Sequence, residues 1–205
     1  MSVDPRVDEA ARAAVEGRLV VLPTDTVYGI GTRPDDPGAT ARLFEAKRRP
    51  RDLELPVLVP TFAEAERVAR FDERAERLAE AFWPGPLTLV LPRAGDSEAW
   101  DLGGDRATIG VRLPRHRLAR AVLDRSGVLA VTSANVSGQP TPAGCDDLVR
   151  LFGDLVAVYL CQQEPLAGPA STVIDLAHGE PRVIRHGGLP QATLDAVIAE
   201  SELPP

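Results

Sequence analysis

The stretch Leu19-Val20-Val21-Leu22-Pro23 decides the fold class, and the polar run Thr24-Asp25-Thr26 follows it directly. Four apolar residues stopped by a proline predict a short buried strand, and the residues after it predict a loop over 24–31. Upstream, Asp4-Pro5 predicts the start of a helix that runs to about Gly17, with Asp4 in the capping position. A buried strand that follows a helix so closely indicates an α/β protein.

The remaining chain continues this pattern. Apolar spacing and turn residues predict further helices over 39–47, 62–68, 74–82, 115–125, 146–152 and 192–200, and further strands over 55–59, 87–91, 107–113, 128–132, 155–160, 171–176 and 182–185. Strands alternate with helices in the first two thirds, whereas the last third has successive strands. We therefore expect one α/β domain, residues 1–205, with a mixed sheet. The charged residues of 93–106, with Gly103-Gly104, predict an exposed loop.

Composition limits the class of protein. The chain has 205 residues, 44% of them hydrophobic, and a formal net charge of -7. This charge argues against non-specific coating of nucleic acid, because such binding depends on lysine and arginine neutralising phosphates. The amino terminus shows no signal peptide, and no apolar run is long enough to span a bilayer, so we expect a cytoplasmic protein without membrane contact. Cys145 and Cys161 are expected to be reduced, structural thiols.

Cations gather in the segment Lys47-Arg48-Arg49-Pro50-Arg51, and Lys47 is the single lysine beside 22 arginines. Like charges repel unless an anion lies among them, and phosphates bind both the arginine fork and the lysine ammonium. A polyanionic ligand is therefore one interpretation. A solvated loop whose charges offset the dipole of the preceding helix is the other, and the segment alone does not decide between them.

Two more polar stretches follow predicted strands: Thr24–Tyr28, and Thr132-Ser133-Ala134-Asn135 with Ser137. Hydroxyl and amide groups at the end of a strand lie where an α/β sheet normally presents its ligand. Asn can hold a base or ribose edge, and hydroxyls can bind phosphate. Each stretch is also compatible with a simple turn, because Thr, Ser, Asp and Asn bond readily to the local backbone.

Several familiar sites are missing from the sequence. It has neither the GxxxxGK[ST] loop nor GxGxxG after a strand, and no HExxH or paired CxxC, so a built-in metal site is not expected. Ser133 does not lie in GxSxG, and no histidine is marked as its base, which disfavours a nucleophilic-triad hydrolase. His116 lies among arginines on a predicted helix, where a solvent-facing position is expected.

The polar stretches belong to an ordered series of motifs. The series comprises Pro23-Thr-Asp-Thr-Val-Tyr-Gly-Ile-Gly31, Lys47-Arg-Arg-Pro50, Pro84-Gly-Pro-Leu-Thr-Leu-Val90, Ile109-Gly-Val-Arg-Leu-Pro114, Ser133-Ala-Asn-Val-Ser-Gly138, Ser171-Thr-Val-Ile-Asp175 and Arg182-Val-Ile-Arg-His-Gly187. In this order, over about residues 10–190, it resembles the YrdC-like family of threonylcarbamoyl-AMP synthases in their single-domain form. The resemblance implies a twisted mixed α/β sheet with a concave basic face.

The resemblance also implies a reaction: L-threonine, bicarbonate and ATP give threonylcarbamoyl-AMP and pyrophosphate, and the product enters tRNA t6A37 biosynthesis through a downstream transfer machinery. It implies an enzyme of the nucleotidyltransferase type. Mg²⁺ is expected to accompany ATP, without a permanently bound cofactor or a dedicated protein metal site. Because of the net charge, direct tRNA binding is expected to be weak or absent.

Site residues are carried over by matching motifs. The resemblance implies catalytic roles for Lys47, Arg49, Ser133 and Asn135. ATP contacts are implied for Lys47, Arg49, Thr108, Asn135 and Arg185, and threonine contacts for Thr26, Arg112, Ser133 and Ser171. Arg112 in particular is expected to pair with the carboxylate of the amino acid.

Four positions depart from the family's pattern. Leu53, Leu58 and Ala143 stand where polar residues are frequent, and His186 stands where proline is frequent. Fewer polar contacts to both substrates are therefore expected. The alternative hypothesis is a catalytically weak or divergent YrdC-like paralogue that acts as a nucleotide- or RNA-binding protein.

Overall fold

The computed structural model describes residues 4–200, so residues 1–3 and 201–205 of the predicted domain lie outside the described range. The α-helices of this range are α1 Arg6–Val15, α2 Pro37–Lys47, α3 Phe62–Val68, α4 Glu73–Phe82, α5 Arg117–Ser126, α6 Cys145–Phe152 and α7 Gln191–Glu200. The strands are β1 Leu19–Pro23, β2 Tyr28–Thr32, β3 Val57–Leu58, β4 Leu87–Pro92, β5 Thr108–Arg112, β6 Leu129–Ser133, β7 Val156–Tyr159, β8 Thr172–Asp175 and β9 Arg182–Arg185. Short 3-10 helices cover Gly95–Ala99 and Gly153–Leu155.

All of these strands lie in one sheet in the order β7-β1-β2-β6-β3-β5-β4-β8-β9. The pairs β7–β1, β3–β5 and β4–β8 are parallel, and the remaining neighbours are antiparallel. The predicted α/β class with a mixed sheet is therefore confirmed. None of the described helices is long and apolar enough to cross a membrane.

Local capping explains where several helices begin. Side-chain oxygens of Asp36, Thr61 and Asp72 accept backbone N–H bonds at the starts of α2, α3 and α4. At α1 the predicted cap shifts by one residue, because Pro5 is the capping residue and Asp4 instead accepts the Arg6 N–H at 3.0 Å.

The two faces of the sheet are covered unequally. Apolar residues of α1 and α5 pack on one face against Val20, Leu22, Leu129 and Val131. This cluster reaches Leu58 of β3, but it includes no described residue of β4, β5 or β8. The larger core lies on the opposite face, where β4 and β5 pack against apolar residues of the other helices. Half of one face is thus left for polar side chains.

Two predicted loops are corrected. Tyr28–Thr32, which overlaps the predicted loop 24–31, is the fully buried strand β2. The segment 93–106 contains a 3-10 helix and buries Ser97, Trp100 and Leu102, so it is not simply exposed. Its two apolar side chains and its serine hydroxyl, which donates to the Val68 carbonyl at 2.6 Å, fix it to the core.

Two predictions about single side chains are also corrected. His116 does not simply face solvent: its Nδ1 accepts the Leu118 N–H at 3.2 Å and caps α5, and its Nε2 lies 2.9 Å from Gln162 Oε1. The expected reduced thiols of Cys145 and Cys161 instead form a disulfide. The fold brings the start of α6 beside the chain that leaves β7, and the Cα atoms lie 5.9 Å apart, within the range that a disulfide spans.

Candidate functional site

The candidate site occupies the half of the sheet face that α1 and α5 leave uncovered. Strand alternation places Thr108, Gly110 and Arg112 of β5 on this face, because Ile109 and Val111 point into the opposite core. Thr88 of β4 lies on the same face. Two adjoining cavities lie here, and both are lined by Pro56, Thr88 and Arg185.

The first cavity brings together five of the predicted site residues from separate parts of the chain. Thr26, Arg112, Ser133, Ser171 and Arg185 all line it. Thr26 follows β1, Arg112 ends β5, Ser133 ends β6, Ser171 precedes β8 and Arg185 ends β9. The sheet order therefore converts motifs spread over about 160 residues into one wall of side chains.

Thr26 and Arg112 are held in a buried hydrogen-bond chain. Arg112 Nη1 donates to Thr26 Oγ1 at 3.0 Å, and Arg112 Nε donates to the Gly85 carbonyl at 3.0 Å. Thr24 Oγ1 donates to the Val27 carbonyl at 2.6 Å and lies 2.9 Å from Thr26 Oγ1, which leaves the Thr26 hydroxyl as the donor of that pair. Both threonines are thus fixed in direction before any ligand arrives.

Arg112 is paired with a carboxylate inside the site. Its Nη2 lies 2.8 Å from Asp25 Oδ1, yet it makes no hydrogen bond with acceptable geometry, and Asp25 Oδ2 is likewise buried without a partner among the described residues. Burial lowers the pKa of Arg112, while the charge of Asp25 raises it. A buried guanidinium is a suitable partner for the carboxylate of a ligand, which would share it with Asp25.

Ser171 is held between two strands. Its Oγ lies 2.9 Å from Thr88 Oγ1 and accepts a 2.8 Å bond from Arg185 Nη2, while its carbonyl accepts Arg185 Nε at 3.0 Å. Arg185 therefore donates hydrogen bonds to both the backbone carbonyl and the hydroxyl of Ser171. Ser171 in the first cavity is therefore hydrogen-bonded to Arg185, which also lines the second cavity.

The second cavity is lined by Arg49, Glu54, Gly110 and Arg185, and Leu53 also lies on its wall. Arg49 donates from Nε to the Leu53 carbonyl at 3.1 Å and from Nη2 to the Glu54 carbonyl at 2.8 Å. The loop after α2 thus folds back on its own arginine and directs the guanidinium towards the sheet.

Three guanidinium groups converge on this face. Burial lowers the pKa of Arg49 and of Arg112, and in both cases the charge of Arg185 lowers it further. The hydrogen bonds of Arg49 and Arg185 go to carbonyl and hydroxyl oxygens, which are neutral. Neighbouring cations whose hydrogen bonds go to neutral groups favour an anionic ligand between them.

Lys47 and Asn135 do not line either cavity. Lys47 is buried, and its Nζ donates to the Ser133 carbonyl, to the Asn135 carbonyl at 2.8 Å and to Asn135 Oδ1 at 3.3 Å. Asn135 Nδ2 donates to the carbonyls of Val136 and Gln139 at 2.8 and 2.6 Å. In this structure the two residues form the support of the Ser133 turn, and Ser133 is the member that faces the cavity.

Thr108 lies further along β5, and it also lines neither cavity. It is four residues from Arg112 on the same face, roughly 13 Å at the usual rise of a strand.

The four positions that depart from the family's pattern lie in different places. Leu53 is exposed at the second cavity, Leu58 is buried at the first cavity, and His186 is exposed. The carbonyl of Ala143 accepts the Leu166 N–H at 2.9 Å.

Sequence reasoning did not select Asp25 and Thr88, although both belong to the quoted motifs. Asp25 pairs with Arg112 and also accepts the Arg115 N–H at 2.9 Å. Thr88 is a lone hydroxyl on an otherwise apolar strand, and it reaches Ser171. Thr88 could have been predicted as a site residue, because it is a polar residue within the apolar predicted strand 87–91. The contact between Asp25 and Arg112 needs the fold.

Known proteins share this sequence and fold. The model of the Sua5/YciO/YrdC family, described as "Telomere recombination", matches residues 12–187. A protein of Mycobacterium leprae (strain TN), provisionally named threonylcarbamoyl-AMP synthase, is 42% identical over 193 residues, which are 94% of this chain and 87% of that protein. The threonylcarbamoyl-AMP synthase of Pyrococcus abyssi (strain GE5 / Orsay) is 39% identical over 100% of this chain and 62% of its own length.

A solved structure shows the same relationship. The crystal structure titled P. abyssi Sua5 complexed with L-threonine matches with a TM-score of 0.87 and 36% identity, and covers 98% of this chain and 59% of that one. This chain therefore spans less than two thirds of the length of the P. abyssi protein.

Proposed function

This chain belongs to the Sua5/YciO/YrdC family, and from that membership we propose that it is an L-threonylcarbamoyladenylate synthase. It converts L-threonine, bicarbonate and ATP into threonylcarbamoyl-AMP and pyrophosphate. The relatives named for this activity cover most of the chain, and the related P. abyssi structure is described as a complex with L-threonine.

The observation that carries the proposal is the buried guanidinium of Arg112, paired with Asp25, at a cavity lined by Thr26, Ser133 and Ser171. The guanidinium receives the carboxylate of threonine in a site where water is largely excluded, so the attraction is stronger than in bulk solvent. The hydroxyls around it bond to the amine and the side-chain hydroxyl of the amino acid.

ATP binds in the second cavity. Arg49 and Arg185 face it, and Arg185 also faces the first cavity, so the triphosphate lies beside the amino acid. Lys47 supports this region by fixing the carbonyls of Ser133 and Asn135. Thr108 and Asn135 line neither cavity, and their contacts with the nucleotide are proposed from the family's motifs alone. Mg²⁺ arrives with the ATP phosphates, which hold it with few protein ligands.

The chemistry needs no protein nucleophile. The amine of threonine adds to the carbon of CO2, which arises from bicarbonate with loss of hydroxide, and the amine loses a proton as the carbamate forms. A carbamate oxygen then attacks the α-phosphorus of ATP, and the bond to pyrophosphate breaks. Orientation of the two substrates and stabilisation of the phosphate charge by arginines supply the catalysis.

The product is a mixed anhydride, so a downstream machinery must receive it for transfer to adenosine 37 of tRNA. Direct binding of tRNA to this chain is weak, because its net charge of -7 opposes a polyanion. We place the reaction in the cytoplasm, where ATP and tRNA meet.

The decisive assay is threonine-dependent release of pyrophosphate from ATP in bicarbonate buffer. Arg112→Ala is expected to reduce release at least about a hundredfold, because a buried charge-assisted contact to the substrate is lost. Arg70→Ala is the matched control, since the Arg70 side chain is 70% exposed and is paired only loosely with Glu98, at 3.5 Å. The control should retain the wild-type rate.

Pyrophosphate release that is independent of threonine would show that the proposal is wrong. Tight ATP binding without any turnover would instead favour the divergent paralogue, for which the apolar Leu58 in the first cavity is the structural argument.

A further inference from the structure

Arg93 is a buried cation just after β4, outside the site residues named so far. Its side chain is 2% exposed. Nε donates to the Thr108 carbonyl at 2.6 Å, Nη1 to the carbonyls of Ser97 and Trp100 at 3.1 and 2.7 Å, and Nη2 to Glu54 Oε1 at 3.1 Å. A buried guanidinium is stable only when it is paired and hydrogen-bonded, and Glu54 is the carboxylate that pairs with it.

Glu54 connects this cation to the second cavity, which it lines. Its backbone carbonyl accepts Arg49 Nη2 at 2.8 Å, and the preceding Leu53 carbonyl accepts Arg49 Nε at 3.1 Å. The direction of the Arg49 fork therefore depends on where the backbone of Glu54 lies. The Glu54 side chain fixes that backbone to Arg93.

The segment 93–106 packs tightly against Glu54. Gly104 has a φ of +58°, and a Cβ added there would lie 2.6 Å from Glu54 Cβ and 2.9 Å from its backbone N. Nearby, the Leu55 N–H donates to the Leu102 carbonyl at 2.8 Å. Glu54 thus has little room to move while its partner Arg93 stays in place.

We propose that Glu54, through its ion pair with Arg93, is a positioning residue for the nucleotide: it fixes Arg49 on one side and the Thr108 end of β5 on the other. The inference rests on the proposed function, because it assigns ATP to the second cavity. The pair also neutralises a carboxylate that would otherwise repel phosphates at the cavity wall.

The test compares Glu54→Gln with wild type at a pH above the Glu54 pKa of about 8, where the wild-type carboxylate is ionised. It uses calorimetric titration of Mg·ATP in the absence of threonine and bicarbonate, and separate KM measurements for each substrate. We expect the Kd and KM for ATP to rise about tenfold, because a displaced Arg49 is no longer aligned with the phosphates, while the KM for threonine changes less than about twofold. Glu98→Gln is the matched control, since Glu98 lies in the same segment, is 60% exposed and pairs with Arg70 at 3.5 Å.

A pH profile distinguishes positioning from a purely structural role. Burial raises the pKa of Glu54 to about 8, against the opposing effects of Arg93 and Arg49, and Asp105 raises it further. Ionisation completes the ion pair, so ATP binding by wild type should tighten as the pH rises through about 8. Glu54→Gln should lose this dependence, and Glu98→Gln should keep it.

Tighter ATP binding by Glu54→Gln, or an equal loss for both substrates, would overturn the inference. If Glu54→Gln does not fold, Glu54→Asp serves, since it keeps the charge and should keep the pH profile with a smaller loss of ATP affinity. Wild-type protein that binds ATP without releasing pyrophosphate would refute the synthase proposal alone. Wild-type protein that binds no ATP would refute both.

Discussion

Lys47 shows how one side chain can act beneath a site. Its ammonium lies among the carbonyls of Ser133 and Asn135, and burial, with a smaller effect from the nearby Arg49, lowers its pKa from 10.5 to about 7. Because Lys47 is the single lysine of the chain, protein grown on lysine labelled with ¹³C at Cε gives one lysine signal. We expect this signal to titrate near pH 7, and a midpoint above 10 would contradict the buried position.

The same shift has a consequence for stability. The folded pKa of Lys47 lies below the unfolded value, so between about pH 7 and 10.5 the unfolded chain binds more protons at this residue. Its contribution to the free energy of unfolding therefore rises with pH in this window, by at most about 1.4 kcal/mol per pH unit. Urea unfolding of wild type and Lys47→Met at several pH values should show this difference in slope.

The cation cluster illustrates what residue patterns can and cannot decide. The pattern left a polyanion site and a solvated loop as alternatives, and in the structure Lys47 is buried while Arg49 lines a cavity. The pattern could not predict that the two side chains lie in different places. They are only two residues apart at the end of a helix, yet Lys47 turns inward beneath Ser133 and Arg49 turns towards the sheet. That distinction depends on β6 lying beside the end of α2.

At the scale of elements, β2 is the clearest failure of pattern reading. Tyr28, Ile30 and Thr32 alternate as a strand should, but Gly29 and Gly31 between them resemble a loop. The structure explains the glycines. A Cβ at Gly31 would lie 2.5 Å from the Ala130 carbonyl, and one at Gly29 would lie 2.6 Å from Val131 Cγ1, so β2 pairs closely with β6 only without these side chains.

Gly31→Ala should therefore lower the free energy of unfolding by about 2 kcal/mol, the usual cost of overpacking a dense core. Chemical denaturation measures the change. Gly188→Ala is the control, because a Cβ there meets its nearest atom at 3.5 Å, an ordinary contact. Equal stability of the two variants would mean that β2 and β6 are less closely packed than described.

On the scale of the whole molecule, the site results from unequal coverage of one sheet. Hydrophobic periodicity predicted most helices and strands, because each is determined by residues close in sequence. The order β6-β3-β5-β4-β8 was not predictable in this way, since it depends on crossovers between distant segments. That order places Ser133, Arg112 and Ser171 on one wall. The motifs singled out these residues, but only the fold determines that they meet.

The disulfide is the other feature that only the whole fold determines. Cys145 and Cys161 are 16 residues apart in sequence, a spacing that suggested no pairing, and they meet because α6 returns to β7. Closing a loop of this size removes unfolded-chain entropy worth about 3 kcal/mol. The Cys145→Ser/Cys161→Ser protein should lose about that much stability, and wild type with a dithiol reductant should match it. Thiol titration of denatured wild type, purified without reductant, should find no free thiol; two free thiols would restore the sequence-based expectation of reduced cysteines.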